Sequence, residues 1–135
     1  MLWCARNAPY LWGVCDTTAG LEVLIVSHGP DEGPLGLVAS LREQTLAPSR
    51  IHVWHNGPSW PPRQIDGVEL HWSGEGVGYG EGINRLLELA TSSRVLVATD
   101  DLVLDPHCVE RIADELDHPS HPVAGAAALR GGEAA

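Results

Sequence analysis

The chain has 135 residues, a formal net charge of −10 and no lysine, with 44% of its residues apolar. That length supports one hydrophobic core, and the acidic balance excludes an electrostatic footprint for nucleic acid and would repel a phosphorylated ligand wherever no cation intervened. No apolar run approaches a membrane span, and no basic segment followed by an apolar one opens the chain, so a cytoplasmic location without a membrane span is expected.

Residues 1–20 carry Trp3, Cys4, Trp12 and Cys15 without a period, and read as an N-terminal extension of unclear role. From Leu21 the pattern sharpens. Leu21 to Val26 is an apolar strand running into Ser27, His28 and Gly29, and a loop with Pro30, Gly33 and Pro34 follows. A helix is predicted from about Leu35 to Thr45, with Leu37, Val38 and Leu41 on one face. Ile51 to His55 is a second strand, closed by Asn56, Gly57 and Pro58, and Val68 to Trp72 a short third one.

Glycines then alternate from Gly74 to Gly82. The spacing fits neither the dinucleotide fingerprint nor a P-loop, which needs a lysine, so this run is either a flexible loop or a backbone that approaches a ligand closely. It leads into a helix with Ile83, Leu86, Leu87 and Ala90 at helical spacing, and with Asn84 and Arg85 near its start. A fourth strand, Arg94 to Ala98, runs through Thr99 into Asp100 and Asp101. Asp105 then reads as an N-cap with Pro106 at the first helical position, and Val109, Ile112, Ala113 and Leu116 give the clearest amphipathic helix of the chain. Val123 to Leu129 is the expected fifth strand, and residues 131–135 a flexible tail.

Three cysteines without a CxxC pair suggest neither a disulfide framework nor a structural zinc site. Of the seven histidines, His52 and His55 would point to opposite faces of a strand, and His118 and His121 lie in a proline-broken turn. Solvated or capping histidines are the expectation for both pairs.

Strands alternating with helices predict an α/β domain over about residues 21–130, with a mostly parallel sheet and helices on both faces. Ligands of such sheets bind beyond the carboxyl ends of the strands, where the strand order reverses. Two such ends are polar here, at Ser27-His28-Gly29 and at Thr99-Asp100-Asp101. Two adjacent carboxylates disfavour each other's ionisation unless a cation is near, which suits a divalent ion held by one of them and completed by phosphate and water. An acidic turn ahead of a capped helix is the equally weighted alternative.

In register, these segments resemble family 2 glycosyltransferases, the inverting group with the GT-A fold. The first strand with Ser27-His28-Gly29, Leu41-Arg42-Glu43-Gln44-Thr45, the segment from Ile51 to Ser59, Gly78 to Asn84, and Thr99-Asp100-Asp101 with Leu104-Asp105-Pro106 follow that family's order. The resemblance implies a three-layer Rossmann-like GT-A sheet, ended after about its fifth strand, that binds a nucleotide-diphosphate sugar. It further implies Asp101 as ligand to Mn2+ or Mg2+, Asp100 toward the ribose or the metal's water shell, Ser27, His28, Gly29, His55 and Asn56 around the nucleotide, and Gly78 and Asn84 shaping the donor site. His55 stands where the family commonly has an Asp that reads the base, and Thr99 replaces the first acidic residue of its DxD motif.

The family's acceptor half and catalytic base would lie beyond the fifth strand, and no residue before Ala135 meets the need for a base. The expected function is therefore donor binding for inverting sugar transfer, completed by an acceptor-domain partner. The alternative is a non-catalytic nucleotide-binding or homo-oligomeric assembly module on the same fold. A receiver-like phosphoacceptor domain fits poorly, since it requires a lysine.

Overall fold

The computed structural model describes residues 2–6, 20–29, 33–56, 62–92, 94–118, 120 and 123–125. Over them the chain forms β1 (Leu2–Arg6), β2 (Leu21–Ser27), α1 (Leu35–Arg42), β3 (Arg50–His55), β4 (Glu69–His71), α2 (Tyr79–Leu89), β5 (Arg94–Thr99), α3 (Cys108–Asp117) and β6 (Val123–Gly125). The strands make one sheet in the order β4-β3-β2-β5-β1-β6. β4, β3, β2 and β5 run parallel, while β1 is antiparallel to both β5 and β6.

All seven residues of β2 are buried, as are the first five of β5. Unbroken buried runs of this kind belong to strands covered on both faces. Two separate clusters supply the cover. Val23, Ile25, Ile51, Val53, Leu96 and Ala98 pack with Leu37, Val38 and Leu41 of α1 and with Val109, Ile112 and Leu116 of α3. Their alternates Leu24, Val26, Trp54, Val95 and Val97 pack with Ile83 and Leu86 of α2.

Several boundaries differ from the expectation for local reasons. Leu2–Arg6, to which the sequence assigned no element, pairs along the whole of β5, from Leu2 against Ala98 to Arg6 against Arg94. α2 starts at Tyr79, so Gly80 and Gly82 belong to the helix rather than to a loop. A Cβ on Gly82 would stand 2.9 Å from Val26 Cγ2 and 3.5 Å from Trp54 Cδ1, which is the close approach of helix to sheet that glycine permits there.

α3 begins at Cys108, not at Pro106, because Asp105 Oδ1 accepts from the His107 amide and forms a turn before the helix. Gln44 does the work expected of a local cap: its Oε1 accepts from the Val109 amide at 2.9 Å, and its Nε2 donates to the Asp105 carbonyl at 2.7 Å. α1 stops at Arg42, which leaves Gln44 in the following turn and aimed at that connection. Of the expected fifth strand, Val123–Gly125 is present, and 126–129 lie outside the described residues, as does the tail from 131.

Candidate functional site

β2 and β5 are hydrogen-bonded neighbours, yet the chain leaves β2 toward β3 on the other side. Strand order therefore reverses between β2 and β5, and the carboxyl ends at such a reversal are where open α/β sheets bind their ligands. Ser27, the last residue of β2, donates its hydroxyl to Asp100 Oδ2 at 2.9 Å. Asp100 and Asp101 lie in the turn after β5, so they are released from the strict alternation of the strand. Asp100 is half-buried and Asp101 exposed. Gly29 lines the same point, for a Cβ placed on it would be 3.9 Å from Asp100 Oδ2.

Tyr79, the first residue of α2, completes this corner. Its hydroxyl is buried and has no hydrogen-bond partner among the described residues. Burial pushes the phenol above its ordinary pKa, and the Asp100 carboxylate pushes it the same way, so Tyr79 stays a neutral donor. A buried O–H without an acceptor costs about 1–3 kcal/mol, a cost that a ligand oxygen would relieve. The sequence offered one signal for Tyr79, a lone aromatic ring within a glycine run.

The remaining predicted residues divide. His55 is buried and is the register partner of Ser27 on the same face, which brings it to the same row of strand ends. His28 is exposed beside Ser27. Asn56 is a clamp: its Oδ1 accepts from Trp54 Nε1 at 3.0 Å and from the Val77 amide at 3.2 Å, while its Nδ2 donates to the Val77 carbonyl at 2.7 Å. It thereby sets the approach to α2. Gly78 is the extended residue ahead of α2, with open space where a side chain would stand. Asn84 is exposed in the second turn of α2.

A second polar cluster lies on the α2 face of the sheet, built by register. His52 faces Glu69 on β4 and Leu24 on β2, so its diagonal neighbours are His71 and Glu22. Its Nε2–H donates to Glu22 Oε1 at 2.8 Å, and its Nδ1 lies 3.2 Å from His71 Nε2 and 3.1 Å from Glu69 Oε2. Both His52 and Glu22 are fully buried.

Burial would raise the Glu22 carboxyl. Hydrogen bonds from His52 and from the Ser92 and Thr91 amides together outweigh it and hold the group at about 2. An ionised carboxylate only accepts, so His52 donates to Glu22 through Nε2, and its Nδ1 side faces His71 and Glu69. Burial, reinforced by His52, holds His71 below the ordinary histidine range, which keeps its ring neutral at pH 7. Arg50 grips Glu69 through Nε and Nη2, at 3.0 Å and 2.7 Å from Oε1, with Nη2 also 2.8 Å from Oε2.

The expectation that His52 is solvated or a cap is thus corrected. His52 and His55 do point apart as expected, but the partners of His52 come from the strands on either side, at a sequence separation that spacing rules do not address. His118 stands at the C-cap of α3, where its backbone amide donates to the Glu115 carbonyl, while its Nδ1 accepts from the Ser120 amide in the turn beyond. His121 lies outside the described residues.

The turn residues Asp100 and Asp101 offer oxygen donors, the type that Mg2+ and Mn2+ prefer, whereas His52, Glu69 and His71 offer the mixed nitrogen and oxygen set of a zinc-type ion. Among the described residues no helix is long and apolar enough to cross a membrane. Comparison with known proteins finds no family model that matches the chain and no matching curated protein.

Proposed function

We propose that the crevice between β2 and β5 is the donor site of a glycosyltransferase-like domain of the GT-A type, binding a nucleotide-diphosphate sugar with Mn2+ or Mg2+. The observation that carries this reading is the Ser27–Asp100 hydrogen bond at the reversal of strand order, with the buried hydroxyl of Tyr79, unpartnered among the described residues, within the electrostatic reach of Asp100. In this reading Asp101 holds the ion and Asp100, oriented by Ser27, accepts from a ribose hydroxyl or from the ion's water. His28, Gly29 and His55 border the nucleotide, and Tyr79 donates to a ligand oxygen. Asn56 and Gly78 act by placing the start of α2 rather than by touching the base.

When bound, the ion would supply charge stabilisation for the departing diphosphate in a chain whose own charge is −10. The two clusters on either side of the sheet accord with the three-layer arrangement of that fold. No base is assigned, and an acceptor-domain partner would supply it. Asn84, exposed on α2, would help to shape the donor site.

Calorimetric titration with uridine, guanosine and thymidine diphosphates, each with and without Mn2+, tests the reading. Binding of at least one of them is expected only with the metal, and Asp101→Ala is expected to weaken it at least about tenfold, the equivalent of one lost contact of about 1.4 kcal/mol. Absence of metal-dependent nucleotide binding would overturn it. Binding without donor hydrolysis or transfer would favour the non-catalytic module.

A further inference from the structure

The polar cluster under α2 is placed where an apolar core would ordinarily run. Glu22 and His52 are fully buried in the central strands, and burying a carboxylate is costly unless it is paired and hydrogen-bonded. Glu22 is satisfied on every side: the Thr91 and Ser92 amides donate to Oε2, and His52 donates to Oε1, where Arg50 Nη1 also stands at 3.5 Å. Its contact with His52 leaves the other ring nitrogen, Nδ1, aimed at the edge strand.

We propose that His52 Nδ1, His71 Nε2 and Glu69 Oε2 form a binding site for a divalent transition-metal ion of the zinc class, with Glu22 as the carboxylate that orients His52. Three features carry this. The three ligand atoms all lie within 4.8 Å of one another. Two ligands held 2.0–2.2 Å from a tetrahedral ion stand roughly 3.3 to 3.6 Å apart, and the separations of 3.2 Å and 3.1 Å from His52 Nδ1 are a few tenths short of that edge. The third is the chain carboxylate–histidine–ligand site: metal-bound histidines characteristically donate their other N–H to a carboxylate, as His52 does to Glu22.

The ion would take the place of the proton that otherwise bridges His52 and His71. A tilt of the His71 ring makes room for it, which its half-buried position on the short edge strand β4 allows. Access is from the same edge, where the Glu69 side chain is 43% exposed. Arg50 and the two carboxylates sum to one negative charge around the site, so a dication meets net attraction. Arg50 holds both oxygens of Glu69, with Nη2 2.7 Å from Oε1 and 2.8 Å from Oε2, and so steadies the carboxylate whose Oε2 faces the histidines. Three protein ligands leave a fourth position to water or another small ligand.

This site is independent of the donor crevice, and its test uses no nucleotide. Metal-free full-length protein is titrated with Zn2+ by calorimetry and with Co2+ by visible absorption. One equivalent is expected to bind, Co2+ giving the intense d–d bands of a tetrahedral site. His71→Ala and Glu69→Gln, both on the exposed edge and checked for folding by circular dichroism, should each weaken binding at least tenfold. Asp101→Ala should leave it unchanged. Lack of stoichiometric binding by the wild-type chain, binding unaltered in the two folded edge variants, or binding lost in Asp101→Ala would each overturn the proposal.

Discussion

Gln44 shows how a single side chain couples two parts of the fold that are 61 and 65 residues away in sequence. Its amide satisfies both the Asp105 carbonyl and the Val109 amide, and it donates to the Ser40 carbonyl as well, while being 6% exposed. Truncating it leaves a helix N-terminal donor and a loop acceptor without partners. Gln44→Ala is therefore expected to destabilise the protein by about 1–3 kcal/mol, read as a lower urea midpoint with an unchanged slope. Because Gln44 fastens the segment that follows Asp101, the same variant should also weaken any ligand held by that turn. In the sequence Gln44 was visible only as part of a motif, since the groups it serves are remote along the chain.

At the scale of elements, α2 separates two uses of glycine within one helix. Gly82 is buried against Val26 and Trp54, whereas a Cβ on Gly80 would meet nothing within 4 Å. Gly82→Ala should cost about 1–3 kcal/mol through overpacking, while Gly80→Ala should stabilise by about 0.5–1 kcal/mol through helix propensity. Thermal unfolding of the two variants side by side checks the opposite signs. Alternation of small residues made this stretch look like a loop, since every glycine is equally unfavourable to a helix in isolation. The contact with the sheet decides which one is required. The apolar period of Ile83, Leu86 and Leu87, by contrast, was legible at once, as were Leu37, Val38 and Leu41 of α1 and the whole buried face of α3.

For the whole molecule, the buried Glu22 network links β2, β3, β4 and the turn before β5, so its ionisation bears on global stability. Glu22 titrates at about 2 when folded against an ordinary 4.5. The unfolded chain thus binds the proton more readily, and stability from this group is fully present above about pH 5 and is lost as pH falls toward 2. The groups that face Glu22 are His52, Arg50 and the Thr91 and Ser92 amides, all of them donors. The shift corresponds to about 3 kcal/mol. Glu22→Gln, measured in a chelator to keep the protein metal-free, should lower the urea midpoint at neutral pH and narrow its difference from wild type as the pH approaches 2.

By itself the sequence determined the α/β class, the parallel strands β2, β3 and β5, and the amphipathic helices, because apolar periodicity reports directly which faces must leave water. It also marked Ser27 and Asp100 as strand-end residues. Only the tertiary structure decided that β1 closes against β5, that Ser27 and Asp100 meet, that Tyr79 buries its hydroxyl beside them, and that Glu22, His52, Glu69 and His71 converge. Those contacts depend on strand order and register, which arise from packing between segments far apart in the chain. Local residue pattern carries no record of which strand will stand beside which.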